Sequence, residues 1–128
     1  MINMTAFVDP NLQRYVTTNS LEKRQAISQR LLSTYPDRVP ILIGRAELMR
    51  TPEVSCHKYM APRNITFAKF LSDIRVNIPD IDSTVALFFF VGNGVLPVAS
   101  LLMETIYDKH KSSDGFLYVI YTAENTFG

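Results

Sequence analysis

Cysteine is nearly absent from this chain. Cys56 is the single one among 128 residues, which excludes an internal disulfide framework and a cysteine-rich zinc site. A lone thiol fits a reducing compartment. Long apolar runs are missing as well. The longest, Val85 to Val91, falls far short of the ~18 residues that a membrane-spanning helix needs. Met1-Ile2-Asn3-Met4-Thr5 lacks the charged-then-apolar start of a secretory signal. An encounter with a membrane would therefore rest on something other than a spanning helix. Net charge is scarce too, at +1, which argues against nucleic acid as the main partner. Internal repeats, low-complexity tracts and clusters of Asp and His at metal-ligand spacing are not found.

What is present suits one folded domain. Hydrophobic residues make up 47% and charged residues 20%, too apolar for a disordered chain. A chain of this length buries roughly two-thirds of its unfolded surface. The small net charge hides a division: residues 1–75 carry +5 and residues 76–128 carry −4. A partner would feel that asymmetry more than the total.

Residues 1–18 are weakly patterned and read either as a short helix or as an arm. Asn19, with Glu22 three residues later, predicts a capping box, and Leu21, Ile27, Leu31 and Leu32 predict a helix over 20–34, ended by Pro36-Asp37. Val39 to Ile43 reads as a strand buried on both faces, which Pro40 demotes to an edge or to the start of pairing. His57 to Ala61 reads as a second strand, and a hairpin is the simplest pairing. Thr66 caps a helix in which Phe67, Phe70, Leu71, Ile74 and Ile78 form one apolar stripe. Ala86 to Val91 predicts a buried central strand. Leu102, Met103, Ile106 and Tyr107 predict a further helix, and Phe116 to Tyr121 a last strand. A hairpin, a long crossover helix and returning strands make a mixed sheet in the α+β class, with a helical N-terminal extension and one face covered by the helix at 66–78.

An enzyme reading would start from Cys56, His57 and His110. A thiol nucleophile needs a base within hydrogen-bond reach. Cys56 and His57 are neighbours at a strand entrance, so their side chains point to opposite faces. Gly92-x-Gly94 lacks the strand–loop–helix setting of a phosphate loop and reads as a turn. The basic residues Lys23, Arg24, Arg30, Arg38, Arg45 and Lys58 read, on composition alone, as a solvated surface.

Several motifs in a fixed order carry the reading further. Glu22-Lys23-Arg24 precedes Tyr35-Pro36-Asp37-Arg38-Val39-Pro40. Ala86-Leu87-Phe88-Phe89-Phe90-Val91 follows. The chain closes on Asp114-Gly115-Phe116-Leu117-Tyr118-Val119 and Glu124-Asn125-Thr126-Phe127-Gly128. From about Leu21 to Gly128 this resembles the autophagy-related protein 8 family of ubiquitin-like modifiers. The match needs one extra residue near Asp80–Thr84 and another in the Gly92–Gly94 turn.

The resemblance implies a ubiquitin-like β-grasp fold with two N-terminal helices. It divides the chain into an arm or short helix over 1–19, a ubiquitin-like domain over 20–121 and a conjugation tail over 122–128. It implies no catalysis and no cofactor. It implies that Gly128 is activated by ubiquitin-like activating and conjugating enzymes, joined covalently to phosphatidylethanolamine, and exposed or released by a cysteine protease. Glycine lets a chain thread a narrow cleft, and two acyl chains anchor stably where one does not. The implied locations are the cytoplasm and, once lipidated, the autophagosome membrane.

The resemblance also implies docking of receptors through short aromatic-x-x-aliphatic motifs, added as a strand to the sheet edge at His57–Ala61. By resemblance, the aromatic pocket is Ile27, Leu31, Pro40, Lys58, Met60 and Phe116. The aliphatic pocket is Tyr59, Ala61, Pro62, Ile65 and Phe70, and Arg38 is the basic rim residue. The chain departs from the family pattern at Cys56 and His57, where basic residues are usual. It departs again at Ala61, Asp73 and Asn77, beside the aliphatic pocket. The alternative is an unconjugated peptide-binding module of the same fold.

Overall fold

The computed structural model describes residues 9–46, 51–82, 84–92 and 94–123. The chain opens with two helices, α1 (Pro10–Thr18) and α2 (Leu21–Thr34). Asp9 caps α1, accepting the Asn11 amide at 3.0 Å, and Pro10 occupies the first helical position, where its missing N–H costs nothing. The cap of α2 is Ser20, which accepts the Lys23 amide at 3.1 Å. Asn19 does not start α2 as its spacing from Glu22 predicted. It closes α1 instead, donating its side-chain amide to the Tyr15 carbonyl at 2.8 Å.

Strands β1 (Arg38–Arg45) and β2 (Lys58–Pro62) form the expected antiparallel hairpin. Helix α3 (Phe67–Val76) crosses over, followed by strand β3 (Phe88–Val91), helix α4 (Met103–His110) and strand β4 (Leu117–Thr122). The sheet order is β2-β1-β4-β3, with β1 and β4 parallel. The fold is therefore α+β with a mixed four-stranded sheet.

Two expectations about strand position are corrected. Ala86–Val91 reads as a central strand, yet β3 begins at Phe88 and lies at the sheet edge, paired with β4. Its burial comes from the helices over it rather than from strands on both sides. Pro40 suggested that β1 is an edge or only begins to pair there, yet β1 is central. The Ile43 amide donates to the His57 carbonyl at 2.8 Å, so odd-numbered residues of β1 bond toward β2. Pro40 thus turns its nitrogen toward β4, whose pairing starts one residue later at Ile41 and Leu117. The proline removes no ladder bond.

Alternation along the central strands separates two cores. Val39, Ile41 and Ile43 join Leu117, Val119 and Tyr121 beneath Phe67, Phe70 and Ile74 of α3 and Met103 and Ile106 of α4. Leu42 joins Phe116 and Tyr118 on the opposite face, beneath Leu12 of α1, with Tyr15, Val16, Ile27 and Leu31 packed around them. Helix α3 covers one face as expected, assisted by α4. The pair α1–α2 covers the other.

Candidate functional site

The free edge of β2 is the starting point. Odd-numbered residues of β2 bond to β1, so Lys58 and Met60 turn their backbone groups outward, and among the described residues no strand pairs with that side. Two side chains cover the outward carbonyls. The Arg38 guanidinium donates to the Met60 carbonyl at 3.1 Å, and the Cys56 thiol donates to the Lys58 carbonyl at 3.0 Å.

Beside this edge, where α2 crosses the sheet, lies a cavity of about 200 Å³ lined by Ile27, Leu31, Pro40, Lys58, Met60 and Phe116, together with Ile41 and Tyr59. All six residues assigned to the aromatic pocket are thus brought together. The walls are apolar except for the lysine, which suits a large side chain with an acidic neighbour. A second cavity of about 310 Å³ adjoins it, between α1 and β2, with Arg14, Tyr15 and His57 in its wall. Lys58 lines both, its ammonium 4.9 Å from the centre of the Tyr15 ring, within cation–π range.

A buried polar network holds the two helices over this face. Asp114, 1% exposed, accepts from Arg24 Nε at 3.0 Å and from the Tyr118 hydroxyl. Its other oxygen takes the Phe116 amide at 2.9 Å. Arg24 also donates to the carbonyls of Val16 and Asn19 at 3.0 and 2.7 Å. The Ser28 hydroxyl donates to the Asp114 carbonyl at 2.6 Å. Gly115 follows at φ +87°, where an added Cβ would strike that hydroxyl. Burial pushes the Tyr118 phenol far up, and its bond to Asp114 adds to the rise. Tyr15 is raised chiefly by burial, with Asp114 adding, and its hydroxyl is buried with no hydrogen-bond partner among the described residues.

The aliphatic group is arranged differently. Ala61 and Phe70 are fully buried in the α3 core, so Tyr59, Pro62 and Ile65 offer the accessible surface there. The Tyr59 ring meets Phe70 edge-on at 5.8 Å. Asp73 pairs with Lys69 at 2.9 Å. Asn77 caps α3, and its carbonyl takes the Ser55 amide and hydroxyl at 2.8 and 2.9 Å. His57 turns inward. Its Nδ1 lies 2.8 Å from the Ile43 carbonyl, which can only accept, so Nδ1 carries the proton. Its Nε2 lies 2.9 Å from Glu53. The cysteine thus engages a backbone carbonyl, and the neighbouring histidine engages other groups. Gly128 lies outside the described residues.

Sequence reasoning missed Arg14 and Tyr15 of α1, and Asp9, which is wholly buried and accepts the Arg45 amide at 2.9 Å. Asp9-Pro10 was the available signal: a capping residue followed by proline starts a helix.

The fold and the edge groove define a ubiquitin-like protein with two added N-terminal helices. Residues 23–128 match the family described as autophagy protein Atg8, ubiquitin-like. An autophagy-related protein 8-like protein of Dictyostelium discoideum is 43% identical over 111 residues, covering 85% of this chain and 88% of that one. Autophagy-related protein 8d of Arabidopsis thaliana is 43% identical over 108 residues, covering 84% and 88%. The crystal structure of Trypanosoma brucei ATG8 superposes with a TM-score of 0.78 at 31% identity, covering 90% of this chain and 97% of that one. Plasmodium falciparum Atg8 in complex with a Plasmodium falciparum Atg3 peptide gives 0.77 at 30%, covering 91% and 98%. The chain belongs to the Atg8 family of autophagy proteins.

Proposed function

We propose that this chain is a lipid-conjugated adaptor of autophagy, joined through Gly128 to phosphatidylethanolamine and docking aromatic-x-x-aliphatic motifs along β2. The observation that carries the docking half is the apolar cavity beside an open strand edge, lined by Ile27, Leu31, Pro40, Lys58, Met60 and Phe116. A peptide laid along β2 places alternate side chains on alternate faces. Its aromatic residue enters the cavity, and its aliphatic residue meets Tyr59, Pro62 and Ile65, above the buried Ala61 and Phe70. Acidic neighbours of the motif meet Lys58 and Arg38, which steer association.

Family membership supports the conjugation half. The partners it implies are activating and conjugating enzymes, a cysteine protease and motif-bearing receptors. The Atg3 peptide held by the Plasmodium falciparum relative supports the conjugating enzyme. The protein then moves between cytoplasm and autophagosome membrane, where two acyl chains hold it. The chain itself performs no catalysis.

Mass spectrometry of the membrane-bound pool tests the conjugation. A phosphatidylethanolamine adduct on Gly128 that appears on starvation, and is lost with Gly128→Ala, is expected. Absence of the adduct, with Gly128→Ala unchanged in location, overturns it. Groove-dependent partners without a membrane pool would instead mark an unconjugated peptide-binding module.

A further inference from the structure

The C-terminal end of β4 is tied to the loop after β1 at one buried corner. The Tyr121 carbonyl accepts the Ala46 amide at 2.8 Å, and the Tyr121 hydroxyl donates to the Pro52 carbonyl at 2.7 Å. One step further on, Thr51 Oγ1 accepts the Ala123 amide at 3.1 Å. It also lies 3.5 Å from Thr122 Oγ1. Both threonines are buried, at 2% and 1% exposed. The loop is in turn held from the other side. Arg45 Nη1 donates to the Thr51 carbonyl at 3.3 Å, while the Arg45 backbone amide is bonded to the buried Asp9.

A buried hydroxyl costs free energy unless it is bonded. Valine would fill the same volume without that cost. What threonine adds here is an acceptor for the amide of Ala123, the residue that directly follows β4. Gly128 lies five residue steps beyond Ala123, a reach of at most about 17 Å fully extended. Where Gly128 can go is therefore set by the direction in which the chain leaves β4.

We propose that Thr51 is a positioning residue for the reaction at Gly128: its hydroxyl holds the Ala123 amide and so fixes the direction in which the chain leaves β4. This rests on the reading that Gly128 is conjugated. A tail whose root is already ordered loses less freedom on entering an enzyme cleft. The benefit falls on binding of the tail, not on the chemistry that follows.

Two readouts on the full chain test this. The first is amide hydrogen exchange at Ala123, followed by NMR in Thr51→Val, Thr51→Ser and the wild type. The second is steady-state conjugation to phosphatidylethanolamine vesicles by purified activating and conjugating enzymes. Thr51→Val is expected to speed exchange at Ala123 while leaving Val119 protected. It should also raise KM for the chain about fivefold, the scale of one hydrogen bond, with kcat within about twofold. Thr51→Ser, which keeps the hydroxyl, restores both. If the valine variant does not fold, Thr51→Ala removes the same acceptor and must show the same two changes. Unchanged exchange at Ala123 overturns the clamp. Faster exchange with an unchanged KM overturns the positioning role. A wild-type chain that forms no adduct overturns the conjugation reading and the proposal with it, and is told apart because the exchange result is then read independently.

Discussion

The two faces of the sheet are closed in different ways. Under α3 and α4 the closure is apolar and continuous, with Phe67, Phe70, Ile74, Met103 and Ile106 seated on alternate residues of β1 and β4. Under α1 and α2 the buried apolar set is small, namely Leu12, Leu42, Phe116 and Tyr118. There a charge pair, Arg24 with Asp114, does much of the holding. A helix pinned by a few directional bonds need not fill the space beneath it. The cavities beside β2 lie on that second face. The difference is one of means: one face is held by continuous apolar packing, and the other by a few directional bonds that leave cavities at the β2 edge.

Asp114→Ala should break the contrast most severely. It takes from the partly buried Arg24 its charge partner and from the Tyr118 hydroxyl and the Phe116 amide the carboxylate that accepts them, at about 3 kcal/mol, read from urea denaturation. Ile74→Ala on the opposite face should cost about 2–5 kcal/mol. Its folded fraction should still bind motif peptides with wild-type affinity, since Ile74 lies in the other core. Met60→Ala and Leu31→Asp should do the reverse. Calorimetric titration should show motif peptides binding at around the micromolar level, about −8 kcal/mol, and weakening about tenfold or more in either variant. Unchanged affinity in both would place the groove elsewhere. Tyr15→Phe is the mildest test. Removing a buried hydroxyl with no hydrogen-bond partner among the described residues should leave stability unchanged or raise it by up to about 1 kcal/mol.

Much of this division was legible in the sequence, because alternation in Val39–Ile43 and Phe116–Tyr121 forces side chains to both faces. The stripe of α3 was equally plain. The position of β3 was not. An apolar run reports burial, and helices over an edge strand bury it as well as flanking strands do. Helix α1 escaped periodicity because it buries a single side chain, Leu12, although Asp9-Pro10 marked its start. The pairs that hold α1 and α2 join residues 36 and 90 positions apart, Asp9 to Arg45 and Arg24 to Asp114. No local pattern encodes such a distance. The aromatic pocket residues came from family resemblance, and one cavity gathers all six. Phe70 of the aliphatic set lies in the core, as its place on the apolar stripe of α3 indicated, and Ala61 is buried beside it, which local sequence does not separate from a pocket floor.

The central proposal is that partners dock on the loosely filled face at the β2 edge. Titrating an aromatic-x-x-aliphatic peptide into the isotopically labelled chain and following amide and methyl resonances tests it most directly. The expected result is perturbation centred on Lys58 and Met60, extending to Ile27, Leu31 and the Phe116 amide, with the Ile106 methyls of α4 unmoved. Perturbations centred on β3 or α4, with Lys58 and Met60 silent, would contradict it.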